Sequence, residues 1–362
     1  MNILSKLFEC NDIGIDLGSA KMRVWVAGEG LVLEEPSAVT LAVPRESSEM
    51  PADKRQGQQD SKPSAKRRKH RVLAIGERAG EMLGKTPGSL VVIRPMKSGV
   101  VCDYDITKRM FRYLLSHENV KEASKGSLRR SRVVISAPFG ITEVEKRCVE
   151  DAARAAGAGK VFLIEALMAA AIGAGLPVSE PKGCMIVDIG ASATNMAVIS
   201  LAGIVHSCAI RAGGDAMDNA IIEYMQNKHD LRIGERKAED IKIKIGSACK
   251  QDAESDYEIK RGSLRSDKIN SREIREEALA DVLGQIVDAA RKLLDIAEPE
   301  LVADLVDDGI VLTGGGALLR GIDKRLAEAT GLPVRVADDP MHATIEGVGV
   351  VLSELDFLSK VK

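Results

Sequence analysis

One short pattern occurs twice, once in each half of the chain. Ile15-Asp16-Leu17-Gly18-Ser19-Ala20-Lys21 runs into Met22-Arg23-Val24-Trp25-Val26, and Val187-Asp188-Ile189-Gly190-Ala191-Ser192-Ala193-Thr194 runs into Asn195-Met196-Ala197-Val198-Ile199. Each reads as a buried strand ending in Asp-apolar-Gly, a tight turn of small residues, and a second strand. A glycine-rich hairpin lets backbone N–H groups come close to phosphate oxygens where a Cβ would clash. The Asp at the strand end cannot bind phosphate itself, but it can hold the hydrated Mg²⁺ that bridges phosphates. Two such hairpins face to face would clasp a triphosphate from both sides. A third piece suits the same role. Ile310-Val311-Leu312-Thr313 runs into Gly314-Gly315-Gly316-Ala317-Leu318, read as a glycine-rich turn opening a helix. The plainer reading is that those glycines only allow helix and strand to pack closely.

The rest of the pattern suits an α/β fold. Strand-like runs fall at Ile13–Asp16, Lys21–Ala27, Arg132–Ala137, Val161–Ile164, Cys184–Asp188, Asn195–Ile199, Ile310–Thr313 and Val334–Val336. Helical patterns at Ile141–Ala156, Ala216–Lys228 and Ser271–Ala297 separate them, the first with Thr142 and Glu145 at capping-box spacing. Alternation of strand and helix argues for mainly parallel pairing. A length of 362 residues with 45% apolar content fills two cores, and an aromatic content of 3% suits helix-covered sheets better than a β-sandwich.

Net charge is −2, which excludes bulk affinity for nucleic acid. Six cysteines without a C-x-x-C pair argue against a metal or disulfide framework and for a reducing cytosol. No apolar run reaches the roughly eighteen residues of a membrane span, and the start lacks the apolar core of a signal peptide. Ile3, Leu4, Leu7 and Phe8 recur at helical spacing and predict either a short amphipathic membrane-surface helix or a docked terminal turn. Residues 44–71, rich in Ser, Pro, Gln and charge, read as a solvated, disordered insert ending in Lys66-Arg67-Arg68-Lys69-His70-Arg71. That basic run is either an anionic-lipid contact or a plain solvated stretch.

In order along the chain stand NDIGIDLG (11–18), LGKTPG (83–88), IRPMKSG (93–99), GITEVEK (140–146), MAAAIGAGLP (168–177), GER (234–236), IKIKIGSA (241–248) and VLTGGGALLRG (311–321). With this series the chain resembles the actin, sugar-kinase and heat-shock-chaperone ATPase superfamily, and is most similar to the bacterial rod-shape-determining family, MreB. The resemblance implies an actin-like α/β fold of duplicated domains, four subdomains in all, around a nucleotide cleft. It implies a first domain over 11–160 with a small subdomain near 37–83, and a second over 161–337 with a small subdomain near 211–281. Residues 338–362 would return to the first domain, and 1–10 would anchor on the membrane.

The resemblance further implies ATP, with GTP as the alternative, and Mg²⁺ held through water by Asp16 and Asp188. Asp16, Gly18, Ser19, Ala20 and Lys21 would form one phosphate loop, and Asp188, Gly190 and Thr194 the other. Gly213, Gly214 and Asp215 would line the cleft near the phosphates, Glu239 and Lys242 would face the nucleoside, and Gly314, Gly315, Gly316 and Ala317 the sugar and α-phosphate. The implied assembly is a filament of paired protofilaments in the cytoplasm, peripheral on the inner membrane face. It would organise cell-wall synthesis through membrane proteins of the elongation machinery.

Departures from the family fall on the chemistry. Where the family has a glutamate before proline, this chain has Ala166, within Ile164-Glu165-Ala166-Leu167-Met168. Where the family reads D-I-G-G-G-T-T, it has Asp188-Ile189-Gly190-Ala191-Ser192-Ala193-Thr194, so the first threonine is Ala193. Both lost groups position the attacking water in the family, which predicts weak or absent hydrolysis with binding retained. Glu165, Ser192 and Thr194 are the remaining candidates for that role, although Glu165, as a neighbour in an extended segment, would point to the other face. At 116–131 an apolar membrane loop of some relatives is replaced by Lys121, Lys125, Arg129 and Arg130 around Leu128. A regulatory or copolymerising relative with little ATPase activity is the main alternative. A small-molecule kinase would need a substrate-facing acid where Ala166 stands, and a chaperone would need a β-rich domain after residue 340.

Overall fold

The computed structural model describes residues 12–42, 71–97, 100–101, 104–125, 128–250, 254–261 and 265–354. The candidate membrane residues Ile3, Leu4, Leu7 and Phe8, and the insert up to residue 70, lie outside them.

Two five-stranded sheets carry the molecule. The first has β1 (Ile13–Leu17), β2 (Lys21–Val26) and β3 (Gly30–Pro36) with β9 (Arg132–Ala137) and β10 (Lys160–Glu165), in the order β10-β9-β1-β2-β3. The second has β11 (Cys184–Ile189), β12 (Thr194–Ser200), β13 (Gly203–Ile210), β16 (Ile310–Thr313) and β17 (Val334–Val336), in the order β13-β12-β11-β16-β17. In each sheet the hairpin strands pair antiparallel and the strands reached through helices pair parallel. The expected mainly parallel pairing is therefore corrected to an even mixture, because short turns of the kind that follow Gly18 and Gly190 can only join antiparallel neighbours.

Smaller sheets sit apart from these. β4 (Val39–Ala42) pairs with β5 (Arg71–Ile75) and β6 (Leu90–Ile93), β7 (Met96–Lys97) with β8 (Val100–Val101), and β14 (Asp256–Arg261) with β15 (Arg265–Asn270). The helix at Glu143–Ala156 starts as its sequence predicts. The Thr142 hydroxyl accepts from the Glu145 amide while the Glu145 carboxylate accepts from the Thr142 amide, a complete capping box. The predicted helix over Ser271–Ala297 is instead broken. A π-turn over Ile274–Ala278 precedes the regular helix Ala280–Ile296, with Arg275 of that turn buried against Glu254 and Glu276.

Each sheet has its own apolar core, and a third core lies between the sheets. Two helices fill that third core, Ala166–Gly173 and Ala343–Ser353. They cross where Gly173 meets the Ala343 carbonyl and Gly347 meets the Ala169 carbonyl, so closely that a Cβ at either glycine would overlap the facing oxygen. No other residue fits at this crossing. The Ala343–Ser353 helix packs on β1, β2 and β9, tying the end of the described chain to the first sheet.

Candidate functional site

The two repeated hairpins face each other across the cleft between the sheets. Their turns touch: the hydroxyls of Ser19 and Ser192 are 2.7 Å apart, although 173 positions separate them in sequence. Among the described residues, the backbone N–H groups of Ser19, Ala20, Ala191 and Ser192 make no hydrogen bond, so the turn tips present free donors to the cleft. The Gly190 amide closes its own turn on the Ala193 carbonyl at 2.9 Å. Gly213 and Gly214 press against that turn, with the Gly214 and Asp215 amides donating to the Gly190 and Ala191 carbonyls at 3.0 and 2.7 Å. A Cβ at Gly213 would lie 2.7 Å from the Gly190 carbonyl oxygen. The helix Gly214–His229 therefore starts directly behind the second turn.

Beneath the turns stand the two acids, and register explains their neighbours. Asp16 pairs with Arg23 across the β1–β2 hairpin and with Ser136 on parallel β9; Asp188 pairs with Asn195 across β11–β12 and with Thr313 on parallel β16. Side chains directly opposite in a sheet share a face and touch. Asp16 accepts from Ser136 at 2.6 Å and from Arg23 at 3.3 Å, and Arg23 continues to Glu34 on β3 at 2.7 Å. Lys21 and His342 also reach Glu34. Burial opposes the charge on Glu34, but the hydrogen bonds from Lys21, Arg23 and His342 and the Arg23 charge outweigh it and hold the carboxyl down at about 2.

Asp188 accepts from Thr313 at 3.2 Å. Desolvation deep in the cleft, then the facing charge of Asp16, pushes its carboxyl up to about 6, against the opposing pull of Thr313, Arg23 and Asn195. Two carboxylates that cannot comfortably share a site as anions suit a bound cation between them. Among the described residues no cluster of three or more His, Cys, Asp or Glu side chains could hold a metal alone. A cation here would need phosphate or water ligands besides Asp16 and Asp188, as expected for hydrated Mg²⁺.

The remaining predicted residues divide. Lys242 is tied to the start of the Gly214–His229 helix, 3.1 Å from the Gly214 carbonyl and 2.8 Å from Asp218. Burial raises the Asp218 carboxyl to about 6 despite Lys242. Glu239 is exposed on the same side. Asp215 does not face the turn tips alone: it takes Arg94 at 2.7 Å, from the chain just after β6, and Arg236 reaches the Gly80 carbonyl. These two contacts join the end of β6 and the short helix Glu77–Met82 of the first half to the helices Gly214–His229 and Glu235–Ile245 of the second. The Gly314 segment opens a four-residue 3-10 turn, Gly315–Leu318, and not the α-helix expected. Gly314 and Gly316 are needed because a Cβ on either would strike Ile189, whereas Gly315 borders open space. Close packing thus accounts for two of the three glycines, and Gly315 is the one left for a ligand.

Of the three candidate replacements for the missing water-positioning groups, Thr194 is fully buried and its hydroxyl donates to the Ala212 carbonyl, so it cannot serve. Glu165 keeps the extended backbone expected of it: it is the last residue of β10, and Ala166 is the first residue of the following helix, so the two neighbours do not share an orientation. Ser192 alone of the three is at the turn tip facing the first hairpin. Sequence reasoning missed Arg23, Glu34, Ser136, Asn195 and Thr313. The hairpin register could have supplied Arg23 and Asn195, but Ser136 and Thr313 come from strands whose pairing no local signal states.

Comparison with known proteins agrees with this geometry. The family model described as MreB/Mbl protein matches residues 57–360. The chain is 41% identical over 356 residues to the cell shape-determining protein Mbl of Bacillus subtilis (strain 168), covering 97% of this chain and 98% of that one. It is 44% identical over 353 residues to the cell shape-determining protein MreB of Escherichia coli (strain K12), covering 96% and 94%. The solved structure of MreB 5 of Spiroplasma citri bound to AMPPNP superposes with a TM-score of 0.82 at 30% identity, over 96% of this chain and 97% of that one. The MamK double helical filament, at 17% identity and a TM-score of 0.72 over 95% and 98% of the two chains, shares the fold. The fold is actin-like, and the chain belongs to the MreB/Mbl family of cell shape-determining proteins.

Proposed function

We propose that the chain is a nucleotide-binding cytoskeletal protein that assembles into filaments on the inner membrane face and turns its nucleotide over slowly or not at all. The observation that carries this reading is the pair of facing turns, joined at Ser19 and Ser192 above Asp16 and Asp188. The free amides at the turn tips supply donors for phosphate oxygens, and the two acids supply a place for a cation. Bound Mg²⁺ would neutralise the phosphates and relieve the repulsion between the acids. Spiroplasma MreB structures holding AMPPNP and ADP support nucleotide as the ligand. Self-association into paired protofilaments is supported by the filament formed by MamK, which shares this fold.

Weak turnover rests on Ala166 and Ala193, which carry no group able to orient water, and on Thr194 being committed to Ala212. Ser192 is the one hydroxyl left at the second turn, and it is engaged with Ser19. This favours a regulatory or copolymerising member of the family over a self-sufficient ATPase. Membrane attachment through Ile3, Leu4, Leu7 and Phe8, and contact with membrane proteins of the elongation machinery, belong to the same proposal; among the described residues no helix is long and apolar enough to cross a membrane. Fluorescent-ATP binding measured beside phosphate release tests the reading: binding with release far below that of the Escherichia coli relative is expected. Equal release would overturn the damaged-site part. Absence of any sedimenting polymer with nucleotide and anionic liposomes would overturn the filament part.

A further inference from the structure

Outside the cleft, a second cavity of about 440 Å³ opens between the Tyr104–Ser116 helix and β5. We propose that it binds a phosphate-bearing anion, with Lys108, Arg109 and Arg112 as its cationic wall. The spacing puts these three on one side of the helix, since residues three and four apart are neighbours on a helix surface. Like charges so placed repel one another and cost helix stability unless something neutralises them. Among the described residues no carboxylate lies within ion-pairing distance of any of the three, and Arg112 reaches only the Ala155 carbonyl at 3.4 Å. Four cations on other helices are paired with an acid one turn away: Lys146 with Glu143, Arg154 with Glu150, Lys244 with Asp240, and Arg272 with Glu276. Here three cations with no carboxylate partner among the described residues line one cavity.

The opposite face of the helix fixes them in place. Ile106, Met110, Phe111, Leu114 and Leu115 are buried in the first core, so the helix cannot turn its charges elsewhere. Asp105 is the one carboxylate among the lining residues, against three cations. Val72 and Ile75 of β5 supply an apolar wall, and Tyr113, whose hydroxyl is held by Glu35, adds its ring. Cations on one side and apolar groups on the other suit a phosphate ester with a compact organic part, from a free metabolite or from a lipid headgroup. Arginine is suited to phosphate because its planar donors match two oxygens at once. The site lies where the small sheet meets the helical layer of the first half, away from both hairpin turns.

The test uses the full chain saturated with ADP and Mg²⁺, so that the nucleotide cleft is filled. One arm titrates inorganic pyrophosphate by calorimetry; the other floats the protein on vesicles of phosphatidylglycerol or phosphatidylcholine. Lys108→Gln/Arg109→Gln/Arg112→Gln should weaken binding by on the order of ten- to a hundredfold, about what three charges near an anionic surface contribute. Arg112→Lys should keep most of the affinity on vesicles and lose more on pyrophosphate, where the two-oxygen grip counts. Lys66→Gln/Arg67→Gln/Arg68→Gln removes charge from the basic run and should leave pyrophosphate binding unchanged. Loss in both arms assigns a site open to either source, and loss on vesicles alone assigns a headgroup site. The proposal falls if the triple α-helical variant, with unchanged melting temperature and ADP affinity, binds both probes as the parent does. It falls equally if the parent binds neither, or if binding follows the basic run, or if poly-glutamate binds while both phosphate probes do not. Arg109→Gln alone, at an exposed position, repeats the test should the triple variant fail to fold.

Discussion

The two halves of the clasp share a skeleton and differ in charge. Across three strands the first half reads Asp16, Arg23, Glu34, and the corresponding register positions of the second read Asp188, Asn195, Ala209. The first acid is thus backed by a cation that is itself held by a second acid. The other is backed by an amide and then by a methyl group. A repeated fold therefore does not make a repeated site: strand register hands each Asp the same neighbours in space, and the residues filling those places decide its chemistry. The first half is electrostatically complete on its own, and the second is left wanting a positive charge.

The largest effect should come from restoring the water-positioning groups. Ala166→Glu with Ala193→Thr is expected to raise phosphate release by on the order of 10²-fold or more, the usual worth of a positioned acid or base. Single-turnover release assays check this, and an unchanged rate would mean that the second half lacks more than two side chains. Next is Gly213→Ala, whose methyl would meet the Gly190 and Ala191 carbonyls and the Ala193 amide. Overpacking of this kind costs about 1–3 kcal/mol, read as a lower unfolding midpoint in urea.

Asp16→Asn and Asp188→Asn should part company. Removing Asp16 leaves buried Arg23 with Glu34 alone and is expected to destabilise the nucleotide-free protein. Removing the Asp188 charge should stabilise it by about 1–3 kcal/mol at pH 7, since each unit of upward shift is about 1.4 kcal/mol against the ionised form, while nucleotide binding in the presence of Mg²⁺ weakens. The two halves also respond to pH with opposite sign. Asp188, raised from 3.8 to about 6, contributes stability that is present below about pH 4 and lost as pH rises through 6. Glu34, lowered from 4.5 to about 2, contributes stability that is present above about pH 4.5 and lost as pH falls toward 2. Thermal melts of the parent and of Asp188→Asn between pH 4 and 7 should show the first slope only in the parent. The smallest effect is expected from Arg94→Ala: the half-exposed Arg94–Asp215 pair contributes under about 1 kcal/mol, so stability barely moves while nucleotide release quickens a few-fold.

Much of this architecture is legible in the amino-acid order. Both hairpins, with Asp16 and Asp188 at their strand ends, lie within a residue or two of where the repeat places them, because buried strands are short unbroken apolar runs. β3 and β13 leave little trace in the sequence, since both are half-exposed with one or no fully inward-facing stretch to set a period. In β14 and β15 seven of the twelve residues are charged and only Tyr257, Ile259 and Ile269 are apolar. In the site, Arg94 and Asp215 are 121 positions apart and Ser136 lies 120 from Asp16, and no local pattern carries such pairings. Thr194 shows the opposite failure. Its hydroxyl is the right chemistry for positioning water, but the start of β12 turns it inward onto Ala212.

The glycine crossing between the two central helices bears on how the molecule can be watched. Gly173 and Gly347 bring backbone directly against backbone, so the two central helices meet with no side chain between them at this point. Two residues further along, Gly349 lies against the indole of Trp25, the one tryptophan in the chain. Ring and helix both belong to the first half, so the indole reports how that helix is seated on β2. Intrinsic fluorescence of the unlabelled protein thereby becomes an optical gauge of that seating, readable through nucleotide addition, polymerisation or membrane binding.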